Sequence, residues 1–134
     1  MKPELPIMDE PLPDDGPVLI QIEYQVDPDN RGAFLRAIHA VEATRRRNGA
    51  TSWRVFRDLG GKGRIVERYI IASWAEYMRL RSRMTMADRK LQEQVLKLQR
   101  EGVPVRISRF IGISTFDETT DTRDEDSDVQ TVLP

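Results

Sequence analysis

The stretch Thr51–Ser73, TSWRVFRDLGGKGRIVERYIIAS, decides the fold. Two runs rich in β-branched and aromatic residues flank GGKG at 60–63, the pattern of a hairpin with a glycine-containing loop. A glycine loop that cradles phosphate runs into a helix; a second strand follows here, so the loop reads as a turn. Trp53, Val55, Ile65, Tyr69 and Ile71 alternate with Phe56, Val66, Ile70 and Ala72, and both faces of the hairpin therefore carry apolar side chains. The chain's own helices can cover one face. The other needs a separate cover, because an exposed apolar sheet is an association surface.

Upstream, PVLIQIEYQV (17–26) sets Val18, Ile20, Ile22, Tyr24 and Val26 against Leu19, Gln21, Glu23 and Gln25, the period of a half-buried strand. DPDNRGAF (27–34) signals a helix start, with Asp27 as cap, Pro28 in the first helical position and Asp29 at the positive end of the dipole. Phe34, Ala37, Ile38 and Val41 follow at helical spacing. Arg45, Arg46 and Arg47 fall in the last turn, where cations suit the dipole, and Asn48-Gly49 ends the helix.

Downstream, SWAEYMRLRSRMTMADR (73–89) contains two helix starts. Ser73 and Glu76 form one capping box, Thr85 and Asp88 a looser second one, so the chain bends near Met84. Leu91, Val95 and Leu98 make the apolar stripe of the second helix, which is expected to stop at Gly102. VPVRISRFIGI (103–113) alternates as a fourth strand, and Pro104 suits an edge or a strand start. The order β-α-β-β-α-α-β predicts an α+β, ferredoxin-like fold: a four-stranded antiparallel sheet with helices on one face. Isologous pairing of two bare sheet faces is the economical cover, so a homodimer, a dimeric α/β barrel, is expected.

The net charge of −1 conceals a segregation. Residues 1–16 sum to −4 and residues 117–134 to −6, which leaves +9 for residues 17–116. The first stretch is proline-rich and reads as an acidic linker; the last is acidic, threonine-rich and reads as a disordered tail. The domain is therefore expected over 17–116. With no cysteine among the 134 residues, disulfides and thiolate metal sites are excluded. No run approaches the roughly 18 apolar residues of a membrane span, and the start lacks the features of a signal peptide.

The strings GPVLIQIEYQVDP, RRRNGATSWRVFRD, ERYIIASWAEYMR and RMTMADR, spread over residues 9–112, resemble the dimeric α/β barrels of the antibiotic-biosynthesis-monooxygenase type. More narrowly, they resemble the soluble C-terminal domain of enterobactin-exporter-like major facilitator superfamily transporters. MDEPLPDDGPV looks like the linker that follows the last membrane helix there, so the chain is expected to be a fragment of such a transporter or a free-standing relative. The resemblance implies a cytoplasmic, dimeric, non-catalytic module with an assembly or regulatory role, tethered to the inner face of the membrane. Its partners would be a transporter domain in the same chain and, through the +9 body, an anionic lipid surface.

The alternative it implies is a small cofactor-independent monooxygenase acting on a phenolic or polyketide-like substrate. In that case Trp53, Tyr69, Tyr77 and Arg81, with Trp74 beside them, would line the pocket, and Arg81 would stabilise an oxyanion. In related transporter domains a histidine commonly stands about where this chain has Arg81. The single histidine, His39, lies on the first helix near Ile38 and Val41, where a helix-surface position is expected rather than a haem ligand. Trp74 reads more simply as an anchor of its helix start. Glu67 and Glu76 have no evident partner base, no triad is present, and no His or carboxylate spacing suggests a metal. No cofactor is expected. Arg45–Arg47, Arg54, Arg57, Arg79, Arg81, Arg83 and Arg89 could face nucleic acid. The two-helix break near Met84 and the lack of an aromatic RNA-binding signature argue against it.

Overall fold

A computed structural model of the chain describes residues 6–113. Alternation in β1 (Val18–Gln25) buries Val18, Ile20, Ile22 and Tyr24 and leaves the intervening residues half-buried. β2 (Thr51–Arg57) and β3 (Arg64–Ile71) form the hairpin, and β4 (Arg106–Ile111) closes the sheet. The strand order is β2-β3-β1-β4, with every neighbouring pair antiparallel. β1 and β3 are the inner strands, opposed as Val18 to Ile71, Ile20 to Tyr69 and Ile22 to Glu67. β4 is an edge strand, in keeping with Pro104 just before it. β2 is the other edge; its register shifts between Thr51 and Arg54, where Ser52 takes a left-handed φ of 53°.

The helices all lie on the face that carries Trp53, Ile65, Tyr69 and Ile71. A 3-10 turn, Pro28–Asn30, precedes α1 (Arg31–Arg47), which buries Phe34, Ile38, Val41 and Thr44. Asp27 does not cap this start. Its carboxylate instead accepts Nε of Arg100 at 2.6 Å. The bend at Met84 is present: α2 (Trp74–Arg83) ends before it, and α3 (Met86–Leu96) starts at the Thr85 cap.

The two caps reverse their expected ranking. Ser73 Oγ accepts the Glu76 N–H at 3.2 Å, but the Glu76 carboxylate turns outward to Arg79 and Arg83. Thr85 and Asp88 make the reciprocal box, Thr85 N–H to Asp88 Oδ2 at 3.0 Å and Asp88 N–H to Thr85 Oγ1 at 3.1 Å. α3 also ends earlier than expected, at Leu96, and the chain reaches Gly102, with φ of 83°, through turns.

Part of the proline-rich lead-in packs on the domain. Asp15 and Pro13 carbonyls accept the first-turn N–H groups of α2, from Trp74 at 2.7 Å and Ala75 at 2.9 Å. These donors have no partner inside a helix, so the lead-in backbone caps α2. Gly16 allows the approach: a Cβ there would lie 2.5 Å from the Ala72 carbonyl oxygen. Trp74 is buried and donates its indole N–H to Glu10 at 3.0 Å, an anchor at the helix start. The expected acidic tail, residues 117–134, lies outside the described residues.

The open face of the sheet mixes two kinds of surface. Leu19 opposes Ile70 on one side and Phe110 on the other, an apolar row across three strands. Beside it Arg54 stands opposite Arg68. Phe56 and Phe110 are 45% and 47% exposed on this face.

Candidate functional site

Between the sheet and the helices lies a cavity of about 300 Å³. Ile20, Ile22, Tyr24 and Tyr69 form its floor; Val41 and Arg45 of α1, Tyr77, Leu80 and Arg81 of α2, and Gln92, Val95 and Leu96 of α3 form its walls. Met84, Val105 and Ile107 complete it. The bend at Met84 lies at the cavity, between the α2 and α3 residues that line it.

Three of the four residues expected to line a pocket, Tyr69, Tyr77 and Arg81, do so. Trp53 does not. It is buried on the same sheet face outside the lining, where its indole Nε1 donates to Glu67 Oε2 at 2.8 Å and its ring meets His39 edge-on at 5.6 Å. Trp74 stacks on Tyr77 at 5.2 Å without lining the cavity. His39 is exposed on α1, with Nδ1 2.8 Å from the Leu35 carbonyl, and points away from the cavity.

Glu67 is the residue whose role the sequence concealed. It has no exposed surface and binds four donor atoms: Tyr24 Oη at 2.9 Å, Trp53 Nε1 at 2.8 Å, Arg45 Nε at 2.9 Å and Arg45 Nη2 at 3.3 Å. Its partner cation is Arg45, which had been assigned to the helix dipole. Burial opposes the charge on Arg45, but Tyr69, Glu67 and Tyr24 outweigh it and raise its pKa above the ordinary guanidinium range. The Arg45 guanidinium also sits 5.1 Å from the centre of the Tyr69 ring, a cation–π distance. Burial first, then the Glu67 charge, pushes the Tyr24 hydroxyl well above its usual pKa. Both groups thus hold their protons through the ordinary pH range.

The other two arginines of that run also have partners. Arg46 pairs with Glu42 at 2.8 Å, and Arg47 binds the buried Asp88, which also accepts Thr44 Oγ1 at 3.2 Å. At the cavity's far side Arg109 of β4 donates to the Tyr77 hydroxyl at 3.4 Å. Among the described residues no three of His, Asp and Glu gather as a metal site. Among the described residues, none that lines the cavity is an acid, a histidine or a lysine.

A family model described as transmembrane secretion effector, of the major facilitator group, matches residues 2–116. The chain belongs to the transmembrane secretion effector family. No curated protein has a sequence that matches it. Among solved structures, this effector-family chain is similar to Rv0793 from Mycobacterium tuberculosis, at 20% identity and a TM-score of 0.59 over 74% of this chain and 97% of that one. It is similar to a Caulobacter crescentus protein classed with antibiotic biosynthesis monooxygenases, at 12% identity and 0.64 over 76% and 94%. It is also similar to SnoaB, a cofactor-independent oxygenase from Streptomyces nogalater, at 12% identity and 0.59 over 73% and 94%. At these identities the likeness is one of fold: the transmembrane secretion effector chain has the antibiotic-biosynthesis-monooxygenase-like ferredoxin fold. Among its described residues no helix is long and apolar enough to cross a membrane.

Proposed function

We propose that the chain is a non-catalytic, dimeric module that serves a major facilitator transporter in assembly or regulation, on the cytoplasmic side of the membrane. The carrying observation is the chemistry of the cavity. General base catalysis needs a group near the reaction that can take a proton at working pH. The lining offers two arginines, three tyrosines, one glutamine and aliphatic side chains. Among the described residues the carboxylate bonded to the lining, Glu67, is buried and satisfied by four hydrogen bonds. The family match supports the transporter link, and the bare row Ile70–Leu19–Phe110 supports pairing of two sheets. The positive middle of the chain suits an anionic leaflet, which gives the module a tether beyond any covalent one.

Sedimentation velocity over a micromolar concentration series tests this reading. A dimer that persists on dilution is expected, together with pelleting on anionic but not neutral liposomes at low salt. A monomer at every concentration overturns the dimeric part.

A second reading has one observation in its favour. The cavity does gather Tyr69, Tyr77 and Arg81, in a fold shared with a cofactor-independent oxygenase. Under it the chain consumes oxygen when given an electron-rich phenol. An oxygen electrode showing no uptake above the buffer rate with such phenols removes it.

A further inference from the structure

We infer that the cavity is a receptor site for a small amphipathic organic acid, its rigid apolar body held among Ile20, Leu80 and Val95 and its anionic head on Arg45. This goes beyond the module reading and makes no use of dimerisation.

Size comes first. A space of about 300 Å³ stands at the lower end of small-molecule pockets, which run from roughly 300 to 1,000 Å³. Most of the lining is aliphatic or aromatic, so the body of an occupant must be apolar. A fully apolar occupant, however, would make no polar contact with the arginine side chains of the lining.

Charge selects the head group. Among the described residues, two arginines and no acid line the cavity. Arg45 spends Nε and Nη2 on Glu67, and Nη1 donates to no described residue. No side-chain nitrogen or oxygen that is fully buried lacks a partner among the described residues. Nη1 is therefore not fully buried, and Arg45 is one of the residues that line the cavity. Its side chain is already fixed by Glu67 and by the face of Tyr69, so little rotamer entropy remains to be lost when a ligand binds. A carboxylate entering an apolar pocket alone would pay heavily for desolvation. Here it meets a pre-oriented, permanently charged donor on α1, with Arg81 of α2 also on the lining.

Isothermal titration of the full chain with 2-naphthoate and with its neutral counterpart 2-naphthamide tests this. The acid is expected to bind at least about tenfold more tightly, the worth of one charge-assisted hydrogen bond. Leu80→Trp, which fills the space without touching the ion pair, should abolish binding of both. Arg45→Gln with Glu67→Gln should bring acid and amide within about threefold of each other. Should that double variant fail to fold, Arg81→Gln, at an exposed position, is expected to weaken the acid selectively. Equal affinity for acid and amide, acid binding that survives Leu80→Trp, or no binding of either compound overturns the proposal. Naphthoate binding that appears only after removal of residues 117–134 would assign the site to that acidic segment and also overturn it. None of these outcomes bears on the sedimentation result.

Discussion

Arg45 and Glu67 join the end of α1 to the middle of β3 through two nearly parallel hydrogen bonds, at 2.9 and 3.3 Å. The carboxylate is wholly buried, and the arginine side chain is 11% exposed. Arg45 lines the cavity and Glu67 accepts the Trp53 indole N–H, so the pair ties one cavity wall to Trp53.

Breaking the pair from one side should cost far more than removing it. A buried ion that loses its partner costs about 3–5 kcal/mol, whereas replacing both ions with well-packed apolar groups is often close to neutral. Arg45→Met alone is expected to lower the stability of the chain by an amount in that range, since Glu67 would keep only Tyr24 and Trp53. Arg45→Met with Glu67→Leu should recover part of the loss, less the penalty for two orphaned donors. Urea denaturation of the two single variants and the double variant measures the coupling. Additive losses would mean that the two side chains act independently.

A second buried carboxylate gives the pH dependence. The hydrogen bond from Arg47, then the Thr85 backbone, holds Asp88 well below the usual carboxylate range. A depressed folded-state pKa adds stability that is present above the unfolded value of about 3.9 and is lost as pH falls through the folded value. The urea midpoint should therefore fall as pH drops below about 4. Asp88→Asn should lower the midpoint at neutral pH and flatten its fall in acid. Glu23 and Asp58, both depressed beside Arg64, will preserve some acid sensitivity in that variant. Parallel midpoint curves for the two proteins would contradict the assignment.

Much of this arrangement could be read from the chain, and the part that could not has a physical cause. Period-two runs and two capping signals gave the order of the elements, the bend at Met84 and the two-sided sheet. Such patterns are local, and the side chains that satisfy them are near in sequence. The ion pairs are not local: Glu67 lies 22 residues from Arg45, and Asp88 lies 41 from Arg47. An arginine in the last turn of a helix has a sufficient local reason to be there, and that reason hid the distant partner. A lone glutamate in the buried register of β3, opposite Ile22, was the available signal, because a charge in that position requires a cation. Trp53 was placed on the correct face but does not reach the cavity lining, since alternation gives the face of a strand and not which helix stands above it.

Two glycines should respond differently to alanine. Gly49 has a φ of 106° with nothing within 4 Å of an added Cβ. Gly49→Ala should therefore cost only the left-handed backbone penalty, about 1–2 kcal/mol. Gly63 has a φ of 76°, and its Cβ would lie 2.7 Å from the Val26 carbonyl, whose own N–H bonds to Gly63 at 2.8 Å. Gly63→Ala carries the same penalty plus a backbone clash at the hairpin, and should cost at least about 1 kcal/mol more. Equal melting temperatures for the two variants would show that the loop relaxes freely.

The proposed pairing of two copies rests on the open sheet face. Leu19, Ile70 and Phe110 form a continuous apolar row across β3, β1 and β4, and no element of the described chain covers it. Beside that row Arg54 and Arg68 stand directly opposite one another, an arrangement that destabilises a strand pair unless other groups share the charge. Two copies meeting face to face bury the apolar row, and Phe110, the most exposed of its three members, lies where the contact would form. Phe110→Asp places a charge in that contact while leaving the helix-side core intact. The dimer should weaken by at least about tenfold, with the thermal stability of the isolated fold nearly unchanged. Sedimentation equilibrium on the wild type and the variant reads this directly. An unchanged association constant would place the contact elsewhere, and the next surface to test would be the exposed β2 edge with Phe56.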